Sequence, residues 1–368
     1  MLASKSLLTY TRLDEKADLT QFLVQAGFLM KEASGVYNYT TLGVLALREL
    51  EERLHRFVQS AGAVEWSLSL LQAQENWDRT GRASDYGDEL MAVKMRSGAV
   101  MRLSATAEEQ ITAAVSHHLK GRQVDHHFYQ VGQKWRDEIR ARGGLVRGRE
   151  FRMMDAYHFA QTQERMFEQN ALMRDTLVEF IRSLGCEVRI VAADCGEIGG
   201  LMSEELQVAT SLEDEGWIEV GHCFALGQKY AEAFEFTTSD GSAAWMSCQG
   251  LGTSRLLAVL LAARRDGRRL WGDAQFSVLD DVIVAIGREE ATMARAQALH
   301  AQMVAKGRRV LLDDRFARAG QQLTSSEAVG AQRRWVVSDR LGEGQAEVNW
   351  LADGRQTQIG LDEWAQAI

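Results

Sequence analysis

The sequence of 368 residues contains no proline. Proline makes up about 5% of ordinary protein sequence, so a chain of this length would carry roughly 18. Low complexity or disorder does not account for the absence, because 46% of the residues are hydrophobic, while glycine (32 residues) and charge (25%) are ordinary. One residue type has been excluded from an otherwise normal globular chain. Proline itself is therefore the first indication of function.

Other absences narrow the class of protein. No apolar run approaches the ~20 residues of a membrane span, and the first residues lack the apolar core of a secretory signal, so we expect no membrane partner. The four cysteines form no CxxC pair, which argues against a zinc knuckle or a disulfide framework and favours a reducing cytoplasm. A net charge of -9 argues against promiscuous nucleic-acid binding, and we expect no DNA partner.

The first two thirds of the chain carry helix and strand signals. Residues 45–62 place Leu45, Leu50, Leu54 and Val58 on one helical face and end at Gly62. Further helices are predicted from near residue 106 and over about 164–184, followed by a strand that begins at residue 186. The segment 128–159 reads as two strands around the turn ARGGLVRG, which predicts a long hairpin with an arginine-rich tip.

The pattern changes near residue 276. From there the sequence predicts a strand (VLDDVIVAIG), a helix over 289–306, a strand (RRVLLDD), a short helix near 325 and a strand (RRWVVSD). Such alternation is typical of a compact α/β unit. We therefore predict two domains, 1–275 and 276–368.

The predicted hairpin carries side chains suited to a nucleotide. Arg136 and Glu138 lie two apart on a presumed strand, so their side chains would share a face. A guanidinium can bind a phosphate while a carboxylate accepts from an exocyclic amine. Arg147 and Phe151, four apart on the returning strand, would add a second cation and a ring for base stacking. The alternative from these residues alone is a solvated ladder of charges on a hairpin.

The order of these residues is that of motif 2 of the class II aminoacyl-tRNA synthetases, and WRDEIRARGGLVRGREFRMMDAYHF (135–159) closely resembles the bacterial-type prolyl-tRNA synthetases. The resemblance continues along the chain in the correct order. The further matching segments are TAEEQIT (106–112), ADCGEIGG (193–200), EVGHCFALGQKYAEAF (219–234), MSCQGLGTSRLL (246–257) and VLLDDRFARAG (310–320). Residues 195–219 connect directly, so the resemblance is to a core without the family's editing insertion.

The resemblance implies an α+β fold: a class II antiparallel sheet with flanking helices, then a C-terminal α/β anticodon-binding domain. It also implies a site. Arg136 and Arg255 would be catalytic. ATP would be bound by Arg136, Glu138, Arg147, Phe151, Glu219, Thr253 and Arg255. Proline would be bound by Thr106, Glu108, Arg136, His222 and Cys248. The anticodon would be bound by Asp313, Asp314 and Arg315. No protein metal site is predicted, although Mg²⁺ would accompany ATP, and the histidine pairs at 117–118 and 126–127 lack completing ligands.

Several positions where this family usually carries proline hold other residues here. They are Thr41, Ser69, Ala73, Ala105, Asp125, Ala141, Ala319 and Gln332. Two further departures, Gln249 in place of an aromatic residue and Glu204 in place of a histidine, put the shape of the amino-acid pocket in question. Ser69 lies in the motif 1 region, which the family uses for its dimer interface.

The resemblance implies a cytoplasmic, homodimeric enzyme that activates L-proline with ATP and transfers it to tRNA(Pro). A chain without proline codons could be made when prolyl-tRNA is limiting, as a stand-in for a resident enzyme, and it could be natural or recoded by design. One alternative is a non-catalytic paralogue that binds or senses tRNA. Another is an enzyme that activates an amino acid for a carrier protein.

Overall fold

A computed structural model describes residues 13–287, 289–315, 317–342 and 344–367. The helices of this part of the chain are α1 Leu19–Gln25, α2 Thr41–Ser60, α3 Gln74–Thr80, α4 Arg82–Tyr86, α5 Glu108–Leu119, α6 Gln163–Ser183, α7 Lys229–Ala233, α8 Thr253–Ala263, α9 Glu290–Ala305 and α10 Ala319–Ser326. The strands are β1 Leu29–Ala33, β2 Val36–Tyr39, β3 Val64–Glu65, β4 Leu71–Ala73, β5 Ala92–Lys94, β6 Val100–Leu103, β7 Asp125–Trp135, β8 Glu150–Ala160, β9 Val188–Ala192, β10 Met202–Ala209, β11 Trp217–Gly227, β12 Trp245–Leu251, β13 Arg265–Asp266, β14 Arg269–Leu270, β15 Leu279–Ile286, β16 Val310–Asp313, β17 Ala331–Ser338, β18 Gln345–Trp350 and β19 Gln356–Gly360.

The described residues form two compact units. One consists of 33–36 and 50–259, and the other consists of the described parts of 1–32, 37–49 and 260–368. The predicted division into 1–275 and 276–368 stays a prediction. Among the described residues, no helix is both long and apolar enough to cross a bilayer.

The first unit is built on a seven-stranded sheet with the order β3-β7-β8-β12-β11-β10-β9. All neighbours pair antiparallel except the short edge strand β3, which runs parallel to β7. The long helix α6 packs against β8, β11 and β12, and its residues Met166, Met173 and Leu177 are fully buried. This is the antiparallel sheet with flanking helices that the sequence predicts.

The second unit contains a five-stranded mixed sheet with the order β16-β15-β17-β18-β19. Strands β15, β16 and β17 are parallel, and β18 and β19 continue antiparallel. The carboxylate of Asp281 is buried on β15 and receives hydrogen bonds from Arg308, Arg333 and the indole of Trp335. Two cations and an N–H group offset the free-energy cost of burying this carboxylate. Asp281 thereby links β15 to β17 and to the segment before β16.

The predicted elements are confirmed with small shifts at their ends. The helix predicted at 45–62 spans 41–60, and the hairpin strands span 125–135 and 150–160. The strands β18 and β19 were not predicted. They complete the mixed sheet of the second unit, and their sequence, which is polar and interrupted at 351–355, gives a weak alternation signal.

Two histidines are buried on adjacent strands of the first unit. His127 on β7 pairs in register with His158 on β8, and their rings lie 5.3 Å apart. Burial lowers the pKa of His127 to about 3, and the neighbouring His158 adds to this shift. Burial likewise lowers the pKa of His158 to about 4, although its hydrogen bond with Asp125 works in the opposite direction. Both rings are therefore neutral in the folded protein.

Acid is expected to destabilise the fold through these rings. Their folded pKa values lie below the unfolded value of 6.5, so the stability is present above pH 6.5 and is lost as the pH falls. At pH 5 each ring lowers the free energy of unfolding by about 2 kcal/mol relative to pH 7. We expect His127→Leu to reduce the difference in unfolding free energy between pH 5 and pH 7, measured by urea titration, by roughly that amount.

The matched control is His118→Leu, because the side chain of His118 is exposed. That variant is expected to keep the wild-type difference between the two pH values. An unchanged pH dependence in His127→Leu would contradict the burial of a neutral ring at this position.

Candidate active site

A cavity of 540 Å³ lies against β8, β11 and β12 of the seven-stranded sheet. Residues that are far apart in the sequence meet there because antiparallel strands bring the ends of distant segments side by side. Ten of the residues predicted from the sequence line this cavity: Thr106, Glu108, Arg136, Glu138, Arg147, Phe151, Glu219, His222, Cys248 and Arg255.

One end of the cavity combines a cation with an aromatic ring. The guanidinium of Arg136 lies 5.4 Å from the centre of the Phe151 ring and donates to the carbonyl oxygen of Ala105 at 3.3 and 3.4 Å. The strand prediction was wrong for Arg136 and Glu138, because β7 ends at Trp135 and both residues follow it. Their side chains nevertheless line the same cavity. The loop that follows β7 therefore contributes to the site.

Two more arginines border this end. Arg147 precedes β8 and was predicted to lie on it, whereas only Phe151 of that pair is in the strand. The Nε atom of Arg147 lies 3.8 Å from the carboxylate of Glu138. Arg255 follows the turn at the end of β12, and its guanidinium donates to the carbonyl oxygens of Val146 and Glu219, both at 2.8 Å. Arg255 is thus fixed by two backbone acceptors, and its guanidinium also lies 3.8 Å from the carboxylate of Glu219.

A second group of side chains lies on β10 and β11. His222 Nδ1 is 3.0 Å from Glu219 Oε1, and its Nε2 is 2.6 Å from the hydroxyl of Ser203. The imidazole stacks on Phe224 with the ring centres 4.1 Å apart. Burial works to raise the pKa of Glu219, but the hydrogen bond with His222 and the charge of Arg255 outweigh it and hold the pKa below its ordinary value.

These acidic and imidazole groups could hold a cation. Ligand atoms of Glu205, Glu219 and His222 lie within 4.8 Å of one another. Carboxylate oxygens are the ligands that Mg²⁺ prefers, and Glu219 supplies an ionised one at the cavity wall. Both nitrogens of His222 already have partners, so the carboxylates fit a hard cation better than the imidazole does.

The other end of the cavity is centred on a buried carboxylate. Glu108 begins α5 and is only 3% exposed. Its Oε2 accepts from the hydroxyl of Thr106 at 2.6 Å and from Nη1 of Arg82 at 3.1 Å. Cys248 forms part of the adjacent wall. The arrangement places an ionised carboxylate in the lining of the cavity, which suits a cationic group.

The segment that carries Thr106 and Glu108 is held by the hairpin behind it. The phenol of Tyr157 accepts from the backbone N–H of Ala107 at 3.0 Å and donates to Asp155 at 2.7 Å. Asp155 in turn pairs with Lys134 at 2.9 Å, and both side chains are almost fully buried. Burial and the charge of Asp155 raise the pKa of Tyr157, so the phenol keeps the proton that this link requires.

Three predicted residues need correction or qualification. Thr253 does not reach the cavity: its buried hydroxyl donates to Glu51 at 2.9 Å, which fixes the start of α8. Glu204 pairs with Arg174 of α6 at 2.9 Å. Gln249 belongs to the cavity lining, but its amide donates to Asn170 of α6 at 2.7 Å. Both side chains therefore bond to α6.

The residues predicted to bind an anticodon lie in the second unit, at the end of β16. Asp313 is 1% exposed, and its carboxylate accepts from Arg315 at 2.7 and 2.9 Å. The backbone oxygen of Arg315 is held by Gln322 at 2.8 Å. Asp313 therefore orients Arg315, while Asp314 beside them is partly exposed.

Sequence reasoning missed several residues of the site. Phe224 gives no signal, because an aromatic residue on a strand is more often part of a core. Arg82 and Tyr86 lie on a five-residue helix, and only the fold brings them next to Glu108. A buried arginine next to two carboxylates has no characteristic spacing in the sequence.

Two family models match the chain. Residues 92–264 match the class II core domain of the tRNA synthetases for G, H, P, S and T. Residues 281–368 match an anticodon-binding domain. The first match includes all strands of the seven-stranded sheet except β3, and the second includes the five-stranded sheet except the first two residues of β15.

Curated relatives agree with these matches. The chain is 28% identical over 387 residues to a proline–tRNA ligase of Sulfurimonas denitrificans, with 89% of each chain covered. It is 38% identical over 218 residues to a proline–tRNA ligase of Burkholderia multivorans, of which it covers 37%. The chain thus resembles the first protein along its length and the second over part of a longer protein.

Solved structures share the fold. A prolyl-tRNA synthetase of Cryptosporidium parvum, complexed with halofuginone and AMPPNP, superimposes with a TM-score of 0.83 at 16% identity, covering 96% of this chain and 78% of that one. A prolyl-tRNA synthetase of Giardia lamblia in complex with prolyl-adenylate has a TM-score of 0.81 at 18% identity, covering 93% and 73%.

The cysteines allow a test of this cavity. Cys223 and Cys248 are buried, and burial raises the pKa of both thiols, whereas Cys186 and Cys195 are partly exposed. Because the thiolate is the reactive form, we expect iodoacetamide to modify Cys186 and Cys195 in the folded protein and to spare the buried pair, as measured by peptide mass spectrometry. Equal labelling of Cys248 and Cys186 would show that the cavity wall is not as described.

Proposed function

The chain belongs to the class II aminoacyl-tRNA synthetases, within their prolyl-tRNA synthetase family, and we propose that it activates L-proline with ATP and transfers it to tRNA(Pro). The single observation that carries this proposal is the cavity, which combines Arg136, Phe151 and Arg255 with the carboxylate of Glu108. One end suits a nucleotide and its phosphates, and the other suits the ammonium group of a small amino acid.

In the first step the carboxylate oxygen of proline attacks the α-phosphorus of ATP, and pyrophosphate leaves with the bonding electrons. Arg136 neutralises charge that develops on the phosphorus, and Arg255 contacts the terminal phosphate. Glu138 accepts from the adenine amine while Phe151 stacks on the base. A terminal hydroxyl of the tRNA then attacks the carbonyl carbon of the adenylate, and AMP leaves. No protein nucleophile is required.

Proline binds at the other end of the cavity. The secondary ammonium of proline donates to Glu108 and Thr106. The proline ring is bordered by Cys248 and by the stacked pair His222–Phe224. A buried carboxylate attracts a cation more strongly than an exposed one does, because water screens the attraction less there. Small amino acids that fit the same space are rejected only weakly, since a pocket does not exclude a smaller substrate well.

Magnesium fits the acidic side of this cavity. Glu219 carries an ionised carboxylate beside Arg255, and it would hold the ion with ATP. When bound, magnesium supplies positive charge that offsets the charge of the phosphates. Glu219 contributes an oxygen ligand, and its hydrogen bond with His222 keeps that carboxylate in position.

A non-catalytic tRNA-binding paralogue is the less favoured function. Such a protein has no use for Arg136, Phe151 and Arg255 in one cavity with Glu108, yet all four are present there. The anticodon-binding unit also argues against an enzyme that serves a carrier protein. In that unit we infer that Arg315, oriented by Asp313, and the neighbouring Asp314 contact the anticodon.

We further propose that the chain acts as a homodimer in the cytoplasm. In the segment around Ser69, the apolar side chains of Val64, Leu70 and Leu71 are 36–59% exposed. Exposed apolar surface in this segment is compatible with a subunit interface. The four cysteines, all among the described residues, are not joined by disulfides, which is compatible with a reducing compartment.

We also infer that the absence of proline serves the synthesis of the chain itself. An ordinary enzyme of this family contains proline, so a cell that lacks prolyl-tRNA cannot replace it. A chain with no proline escapes that dependence and can be made as a stand-in when prolyl-tRNA is scarce. This applies equally to a natural gene and to one recoded by design.

The backbone supports this inference because it still accommodates proline. Ala319 is the first residue of α10, a position that proline favours because its missing N–H would have no partner there. Arg318 before it is extended, at φ -66° and ψ 139°, as a residue before proline must be. Thr41 likewise begins α2, and Ala73 has φ -65°, the value that a proline ring imposes. The fold therefore did not exclude proline at these positions.

We expect Arg136→Ala to lower proline-dependent ATP–pyrophosphate exchange by about 10²-fold or more, because one preorganised charge at the reacting phosphate is lost. The measurement is exchange of labelled pyrophosphate into ATP at saturating proline. Arg140→Ala is the control, since Arg140 lies nearby but does not line the cavity. Exchange at the wild-type level in Arg136→Ala would remove the basis of the assignment.

The stand-in role is tested by restoring one proline. We expect Ala319→Pro to keep full exchange activity and to gain about 0.4–1 kcal/mol of stability, because proline restricts the unfolded chain. Each chain is then induced in cells whose own prolyl-tRNA synthetase has been shut off until prolyl-tRNA is exhausted. The proline-free chain should accumulate and restore growth, whereas Ala319→Pro should not accumulate.

Ala319→Ser is the matched control, because it alters the same position without adding a proline codon, and it should behave like the original chain. Equal accumulation of the Ala319→Pro chain would contradict the stand-in role and leave the activity itself untouched.

A further inference from the structure

A buried arginine lies directly behind the carboxylate that receives the amino acid. Arg82 is the first residue of α4 and is 1% exposed. Gly81 before it has φ +78°, a left-handed conformation that favours glycine, and this turn separates α3 from α4. The Arg82 guanidinium lies 5.3–5.7 Å from the ring centres of Trp77, Tyr86 and Tyr230.

This guanidinium joins two consecutive glutamates. Nη1 of Arg82 contacts both oxygens of Glu109, at 3.0 and 3.1 Å, and Oε2 of Glu108 at 3.1 Å. Glu109 is fully buried, and its Oε1 also accepts from the hydroxyl of Thr80 at 2.9 Å. The bonds of Glu108 to Arg82 and Thr106 both fall on Oε2, and the carboxylate also interacts with the Cys248 thiol of the cavity wall.

The electrostatics separate the roles of the two carboxylates. Burial works to raise the pKa of Glu108, but Arg82 and the hydrogen bond from Thr106 outweigh it, and the pKa is lowered. Burial raises the pKa of Glu109, and the attraction of Arg82 does not offset it. The titratable or charged groups that face Glu108 from surrounding elements are those of Arg82, Arg136, Tyr157, Tyr230 and Cys248.

We propose that Arg82, clamped by Glu109, is a positioning residue that holds Glu108 in place for the ammonium group of the amino acid. The proposal rests on the function proposed above and assigns roles to two residues that act through Glu108, one of which, Arg82, also forms part of the cavity lining. Glu109 fixes Arg82, and Arg82 fixes Oε2 of Glu108, so that the carboxylate keeps the orientation in which it receives the ammonium group. Selectivity for a cationic amine would then depend on α4 as well as on α5.

The test separates binding of the amine from binding of the nucleotide. Pyrophosphate exchange is measured for wild type, Glu109→Gln and Arg82→Lys, with proline and ATP varied in turn. We expect KM for proline to rise about tenfold or more, while KM for ATP stays within about twofold. Arg174→Met is the matched control, because it breaks the ion pair with Glu204 outside the amino-acid end, and it should leave both KM values unchanged.

A substrate analogue sharpens the result. Tetrahydrofuran-2-carboxylate has a ring oxygen in place of the ammonium, so its inhibition constant should be nearly the same in wild type and variants. Thr80→Val is a milder change at the far end of the clamp and should raise KM for proline in the same direction by a smaller factor. It also serves if the charge variants do not fold.

Each remaining outcome counts against the proposal. An unchanged KM for proline, a parallel rise in both KM values, or equal weakening of the analogue would show that Arg82 and Glu109 serve only the fold. Absence of proline-dependent exchange in the wild type would instead overturn the proposed function, so the two failures are distinguishable.

Discussion

An ionised carboxylate must be kept inside the protein if the cavity is to receive a small ammonium group, and the surrounding structure follows from that constraint. Glu108 is 3% exposed, and removing a carboxylate from water costs several kcal/mol unless it is paired. Arg82 and Thr106 supply that pairing. The segment 104–108 is held by Arg136 on the oxygen of Ala105 and by Tyr157 on the N–H of Ala107. The short helix α4 and the β7–β8 hairpin thereby act as supports for one charge.

A chain without proline loses rigid turns, and this fold keeps its geometry by other means. Ala319 and Thr41 stand at helix starts, where a backbone N–H has no helical partner whether or not the residue is proline. Asp125, at a further position where the family usually has proline, bonds to His158 and Arg165. Side-chain contacts of this kind stabilise the folded state, whereas proline acts largely on the unfolded chain.

Much of this was available from the sequence. The two-strand pattern around the turn ARGGLVRG predicted the hairpin. The resemblance of residues 135–159 and 246–257 to motifs of the family placed Arg136, Phe151 and Arg255 in one site, because such motifs encode backbone turns and charges at fixed spacing. Thr253 was misassigned, since a motif does not say whether a hydroxyl faces the cavity or Glu51. The sequence did not show whether Gln249 and Glu204 alter the pocket, because it does not reveal that both side chains bond to α6. Arg82 could not be found without the fold.

The central claim is that this cavity activates proline. Its most direct test is ATP–pyrophosphate exchange by the unmodified chain with each of the twenty amino acids in turn. We expect strong exchange with proline, weaker exchange with small amino acids such as alanine that enter the same pocket, and none with large or anionic ones. Exchange with no amino acid, or a clear preference for one other than proline, would contradict the claim.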